Sequence, residues 1–184
     1  MQKRGRRELI PINVLRPHSA ASPLIRPATV DDAGLILRFI RELAVYEKAG
    51  SAVRTDEAGI AASLFGADAT ARALICEVNG EAVGYAVYFY NYSTWLGRKG
   101  IYLEDLYVSP EKRGLGAGRA LLQHLARQAV DEGCGRLEWS VLDWNAPAIA
   151  FYTAAGARPQ DEWTVYRLQG EALHAFAQKG DGGS

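Results

Sequence analysis

The sequence predicts an α/β chain built on a mixed sheet, and three observations carry that reading. Two apolar stretches, "ARALICEV" and "EAVGYAVYFYNY", flank Asn79-Gly80, a dipeptide suited to a tight β-hairpin turn. An apolar and aromatic run, "KGIYLEDLYV", is followed by three glycines at alternate positions and then by Leu121, Leu122, Leu125, Ala126 and Ala129 at helical spacing. After that helix comes another strand pattern, "RLEWSVL", so a strand–helix–strand crossover to a parallel neighbour follows an antiparallel start.

The remaining elements follow in order. "LIRPAT" (24–29) reads as the opening strand. Asp31 and Asp32 suit a helix N-terminus, and Ile36, Phe39, Ile40 and Leu43 give the apolar face of a helix over 31–48. A weaker helix covers 56–65 after Thr55, the hairpin comes next, and the strand 99–108 stops at Ser109-Pro110. The glycine run leads into a helix over 115–132 that Gly133 closes. "NAPAIAFYTAAG" predicts a short helix closed by Gly156, "WTVYRL" a last strand, and 171–177 a small helix.

A length of 184 residues suits one domain, expected over 23–178, with a basic extension at 1–22 and a fraying tail at 179–184. Lys+Arg and Asp+Glu are equal at 21 each, so no overall basic field draws the chain to nucleic acid. The extension carries Lys3, Arg4, Arg6, Arg7 and Arg16 against Glu8 but lacks the apolar core of a signal peptide. No apolar run approaches the roughly 20 residues of a membrane span. Cys76 and Cys134 form neither a disulfide framework nor a zinc ligand set. A soluble cytoplasmic chain is therefore expected, with two free thiols, no metal site and neither nucleic acid nor membrane as partner.

Gly114, Gly116 and Gly118 stand where a strand gives way to a helix. There, free N–H groups and the helix dipole make a phosphate site, although a tight turn that needs glycine sterically has the same letters. A Walker loop would end in Gly-Lys-Ser/Thr, and the dinucleotide fingerprint would have glycine where Arg119 stands, so both fail. What fits is [Gln/Arg]-x-x-Gly-x-[Gly/Ala], present as Arg113-Gly114-Leu115-Gly116-Ala117-Gly118. This resembles the coenzyme A loop of the GNAT superfamily of N-acetyltransferases. "YLEDLYV" before the loop and "WNAPAIAFYTAAGA" after the next strand stand in matching places, and the resemblance covers 24–178. "IRPAT", "ELAVYE", "YLEDLYV" and "FY" look like the spermidine/spermine acetyltransferase family, while "YSTWLGR", "LDWN" and "QGEAL" are more similar to its thialysine acetyltransferase branch.

That resemblance implies an acetyl-CoA-dependent N-acetyltransferase of small-molecule primary amines, either thialysine or lysine-like amino acids or diamines, by direct attack in a ternary complex. It implies a homodimer with the cleft near the subunit interface. The phosphates of acetyl-CoA would lie on Arg113, Gly114, Leu115, Gly116, Ala117, Gly118 and Arg119, and its pantetheine arm along Leu106, Tyr107 and Val108. Asn145 would bond the pantetheine amide, though it equally suits the cap of the helix after it. Tyr152 matches the family's catalytic acid, since a phenol of pKa about 10 can protonate a departing thiolate of pKa near 8.5; as a bare letter it could also be half of an aromatic pair with Phe151. Glu104 and Asp105 are consecutive on the strand and so point to opposite faces, and Glu104 is the expected proton acceptor, through water. A structural acid pair reads the same way. Tyr46, Glu47, Trp95, Glu104, Asp105 and Trp163 would surround the amine as an aromatic and acidic cage. The polyamine enzymes carry acids where this chain has Lys48-Ala49-Gly50-Ser51 and Ser93-Thr94, which favours a shorter amine. A protein lysine or N-terminal acetyltransferase and a non-catalytic acyl-CoA-binding module are the alternative readings.

Overall fold

The computed structural model describes residues 22–178, which form two compact units, one through Ser140 and one from Val141. The expected extension at 1–22, except Ser22, and the expected tail at 179–184 lie outside the described residues.

In the first unit the order is β1 (Leu24–Pro27), α1 (Ala33–Tyr46), α2 (Glu57–Phe65), β2 (Ala71–Val78), β3 (Glu81–Ser93), β4 (Arg98–Val108), α3 (Ala117–Asp131) and β5 (Leu137–Trp139). The sheet runs β1-β2-β3-β4-β5, with antiparallel pairs as far as β4 and a parallel β4–β5 pair after the α3 crossover. The β2–β3 turn is Asn79-Gly80 with φ of 54° and 75°, both left-handed, as the dipeptide requires. α3 begins two residues later than its apolar stripe suggests, because Gly116 is left-handed, at φ 82°.

α1 covers one face of the sheet. Phe39 stacks on Tyr85 with ring centroids 5.5 Å apart and tilts against Tyr107 at 6.1 Å, and Ile36, Leu37, Ile75 and Val87 fill the same core. α3 covers the other face, where Leu121 and Leu125 are fully buried and Gln128 donates to the Tyr90 hydroxyl at 2.9 Å. Burying a leucine or phenylalanine in this way contributes about 1.5–3 kcal/mol each.

The entry into α1 is held by charge. Arg26 on β1 grips both carboxylate oxygens of Asp32 at 2.8 Å and donates to Glu77 on β2 at 2.7 Å. Asp32 also accepts the Thr29 N–H at 2.8 Å, capping the 3₁₀ turn Val30–Asp32 that opens into the helix.

Two expected strands differ. β5 spans only Leu137–Trp139 rather than 136–142, because its ladder stops at Leu103↔Trp139, where β4 changes course. Residues 163–168 form no strand. A strand exists only against a neighbour, and the regular elements of the second unit are the helices α4 (Ala146–Ala154) and α5 (Gly170–Gln178).

The Arg26 hydrogen bond, against the opposing effect of burial, pulls the Asp32 carboxyl down to about 2. A depressed carboxyl adds stability above its unfolded pKa of about 3.9 and loses it as pH falls through the folded value. Asp32→Asn is therefore expected to cost about 2 kcal/mol at pH 7. In urea titrations the gap between the two proteins should close as pH falls from about 4 to about 2.

Candidate active site

The centre of the site is a register fault in β4. Leu103 pairs with Tyr88 and Asp105 pairs with Val87, so Glu104 is one residue too many against β3. Cross-strand partners share a face. Leu103 therefore lies with Tyr88 on the α3 side, whereas Asp105 and Tyr107 lie with Val87 and Tyr85 on the α1 side. The bulge also frees an edge. The parallel ladder with β5 ends at Leu103, so among the described residues no β5 residue pairs with 104–108, where Leu106, Tyr107 and Val108 run on towards the glycine loop.

The two acids of "LEDL" consequently have different surroundings. Glu104 is exposed at the bulge. Asp105 is half-buried and accepts a hydrogen bond from the Tyr85 hydroxyl, 2.7 Å from its Oδ2. Burial pushes the Asp105 carboxyl up, partly opposed by the Tyr85 bond. Burial, with the Asp105 charge, also raises Glu47, the residue that ends α1. Glu47 and Asp105, two of the six residues expected around the amine, are thus within electrostatic reach of each other from two elements. Strict alternation set Glu104 and Asp105 on opposite faces, but the contrast found is between an open bulge position and a recessed carboxylate.

The loop after β4 turns through Ser109, whose hydroxyl donates to Glu42 of α1 at 3.1 Å. Arg113 donates through Nε to the Val108 carbonyl at 3.2 Å, and its guanidinium lies over the Tyr46 ring, 4.9 Å from the centroid. The expected phosphate-loop arginine and the expected cage tyrosine are therefore in contact. Gly114 and Gly116 have φ of 81° and 82°. A Cβ at either would meet nothing within 4 Å, so the backbone conformation, not crowding by the protein, calls for glycine. Gly116 brings no side-chain cap to α3, and Gly118 lies in the first turn of the helix beside Ala117 and Arg119. N–H groups at such an end point outwards with the positive pole of the dipole, a fit for the phosphates of a nucleotide carrier. Beside this loop a groove of about 690 Å³ runs along α1, lined by Leu37, Arg41, Tyr46, Tyr107 and Pro110 among others.

Trp95 is not gathered with these residues. It sits in the turn between β3 and β4, at the far end of the ladder from Asp105, roughly 20 Å along the strand at the usual rise per residue. In the second unit, Asn145 caps α4, accepting the Ala148 N–H at 3.3 Å, as its position in the sequence suggested. Tyr152 lies on the same helix with its ring 5.2 Å from that of Phe151, and Trp163 follows in the irregular stretch before α5. Two residues escaped the sequence reading. Tyr85 and Glu42, which bond Asp105 and Ser109, were read only as part of a strand and a helix, and their partners become visible only once the register is known.

Cys76 and Cys134 are free thiols, and burial pushes Cys76 up to about 11, so it stays protonated at neutral pH and is a poor nucleophile. Among the described residues no three His, Cys, Asp or Glu side chains gather into a metal site, and no helix is long and apolar enough to cross a membrane.

Comparison with known proteins adds a family. The model of the acetyltransferase (GNAT) family matches residues 40–157. The chain is similar to the thialysine N-epsilon-acetyltransferase of Sus scrofa, 44% identical over 170 residues that span 86% of this chain and 99% of that protein. It is also 44% identical to an L-ornithine N5-acetyltransferase of Arabidopsis thaliana over 93 residues, which span 50% of this chain and 41% of that one. Among solved structures it resembles an integron cassette protein from the mobile metagenome of V. cholerae, with TM-score 0.72, 28% identity, and 85% of this chain and 98% of that chain covered.

A side chain at position 116 forces a left-handed backbone on an L-residue. Gly116→Val is expected to lose about 1–2 kcal/mol of stability. Its thermal or urea midpoint measures this, and an unchanged midpoint would show that the loop relaxes to another conformation.

Proposed function

The chain belongs to the GNAT family of acetyltransferases, and from that premise we propose that it carries the acetyl group of acetyl-CoA to the primary amine of a thialysine-like or lysine-like amino acid. The observation that carries this reading is the freed edge of β4 from Glu104 onward, leading straight into the left-handed glycines at the start of α3. An edge of unpaired peptide groups suits the amides of a pantetheine arm, and a helix N-terminus suits a diphosphate.

In the proposed mechanism acetyl-CoA lies along Leu106, Tyr107 and Val108, with its phosphates on Arg113, Gly114, Leu115, Gly116, Ala117, Gly118 and Arg119. A backbone N–H near the bulge polarises the thioester carbonyl, the usual role of a fixed donor at a developing oxyanion. The substrate ammonium is drawn by Glu47 and Asp105, two recessed carboxylates whose charged forms burial disfavours and a cation favours. Glu104, open to water at the bulge, takes the proton. The neutral nitrogen attacks the carbonyl, the C–S bond breaks as Tyr152 gives its proton to the thiolate, and the second nitrogen proton, lost as the amide forms, returns through water to the tyrosine. Asn145 contributes its cap and a bond to the pantetheine amide, and Trp163 completes the recognition of the amine; Trp95, at the far end of the β3–β4 ladder from Asp105, takes no part. Lys48, exposed directly after Glu47, sets a positive charge where a polyamine would need a second acid, which supports a short acceptor over spermine. The reading includes one catalytic domain over 23–178 that acts as a homodimer in the cytoplasm.

Thiol release from acetyl-CoA across thialysine, lysine, ornithine and spermidine tests the substrate: kcat/KM should be highest for the amino acids, and a preference for spermidine overturns it. Tyr152→Phe is expected to lower kcat by about 10²–10⁴-fold with acetyl-CoA affinity little changed, as for loss of an acid catalyst. Full activity in that variant removes Tyr152 from the mechanism.

A further inference from the structure

Tyr85 is fully buried and its ring is clamped against Phe39 of α1, 5.5 Å between centroids and 12° from parallel. A phenylalanine would fill that stack equally well. What tyrosine adds is a hydroxyl, and burying a hydroxyl is unfavourable unless it is bonded. Here it is bonded to one atom that matters: Oδ2 of Asp105, at 2.7 Å. The ring cannot swing, because the α1 core holds it on one side and the sheet on the other, so the hydroxyl fixes where that carboxylate points.

We propose that Tyr85 is a positioning residue for amine recognition: its hydroxyl occupies Oδ2 of Asp105 and leaves Oδ1 aimed as the acceptor for the substrate's ammonium group. The proposal rests on the reading of Asp105 as a ligand of the amine. Its chemistry follows from the neighbours. Asp105 faces Tyr85 on β3 and Glu47 at the end of α1. The Asp105 charge adds to the burial that pushes the Glu47 carboxyl up. A hydrogen bond given by a phenol favours the ionised form of the carboxylate that receives it. Tyr85 therefore opposes the burial that pushes the Asp105 carboxyl up and holds that carboxylate in one orientation on a rigid strand. The amine then meets an oriented carboxylate, which favours binding over turnover.

The test is a double-substitution cycle with thialysine as the varied amine and saturating acetyl-CoA. Tyr85→Phe is expected to raise the KM for the amine about tenfold, the range for losing a hydrogen bond to a charged group, with kcat changed by about twofold or less. Asp105→Asn should raise that KM by at least as much, and adding Tyr85→Phe to it should have almost no further effect, because the hydroxyl acts only through the carboxylate. If Asp105→Asn raises KM while Tyr85→Phe does not, or if the two effects multiply, the positioning role is wrong and the amine-site reading survives. If Asp105→Asn leaves KM unchanged, the amine-site reading itself is wrong. Unsubstituted protein gives an independent measurement should a variant fail to fold: the Tyr85 hydroxyl proton resonance should shift on saturation with thialysine, and an unmoved resonance overturns the proposal.

Discussion

One surplus residue in β4 decides what each side of the sheet can do. Without the bulge at Glu104, Leu103 and Asp105 would project to the same face, and the carboxylate would lie under α3 among leucines. With it, Leu103 stays in the α3 core, and Asp105 and Tyr107 turn to α1. The same fault bends β4 away from β5, whose ladder ends at the residue before it. A charged pocket and an unpaired strand edge thus have a single cause, and neither can be moved without the other.

The two halves of the chemistry then rest on different parts of the molecule. In the proposed mechanism, carrier recognition is left to the backbone: the β4 edge, two left-handed glycines and a helix N-terminus. In the same proposal, amine recognition is left to side chains, above all Glu47 and Asp105. Backbone sites depend on conformation and tolerate wide change in sequence so long as the glycines stay. Side-chain sites change with single substitutions. On the proposed reading, a family built in this way can keep its acyl donor and exchange its acceptors, and this chain's Lys48 is such a change.

Much of this was legible in the letters, and for stated reasons. Asn79-Gly80 announced its hairpin because few other dipeptides accept two left-handed residues, and the α3 stripe announced its helix because Leu121, Leu125 and Ala129 recur every turn. The glycine loop and the cap at Asn145 were readable in the same local sense. The bulge was not. "YLEDLYV" has no glycine to mark a fault, and its aromatic and aliphatic residues satisfy both faces of a buried strand, so periodicity does not report a slip. Position 85 was hidden behind it: a tyrosine in an apolar strand looks like core until the register shows that its hydroxyl meets Asp105. The shortened β5 has the same origin, since its end is set by the bend in its neighbour. "WTVYRL" misled for another reason, because alternation describes a segment able to pair and says nothing of whether a partner strand is within reach.

A site that attracts a cation works against the step that follows, since every interaction that holds an ammonium also holds its proton. The arrangement of acids answers this. Glu47 and Asp105 are partly buried, so a cation beside them would be little screened, which suits the capture proposed for them. Glu104 stands at the bulge in contact with water, able to accept a proton and release it to solvent without taking charge out of the pocket. On the proposed reading, capture falls to recessed acids and deprotonation to an open one at the bulge of an irregular strand. The separation needs only one added residue, which is less demanding than evolving a second helix or loop to carry the base.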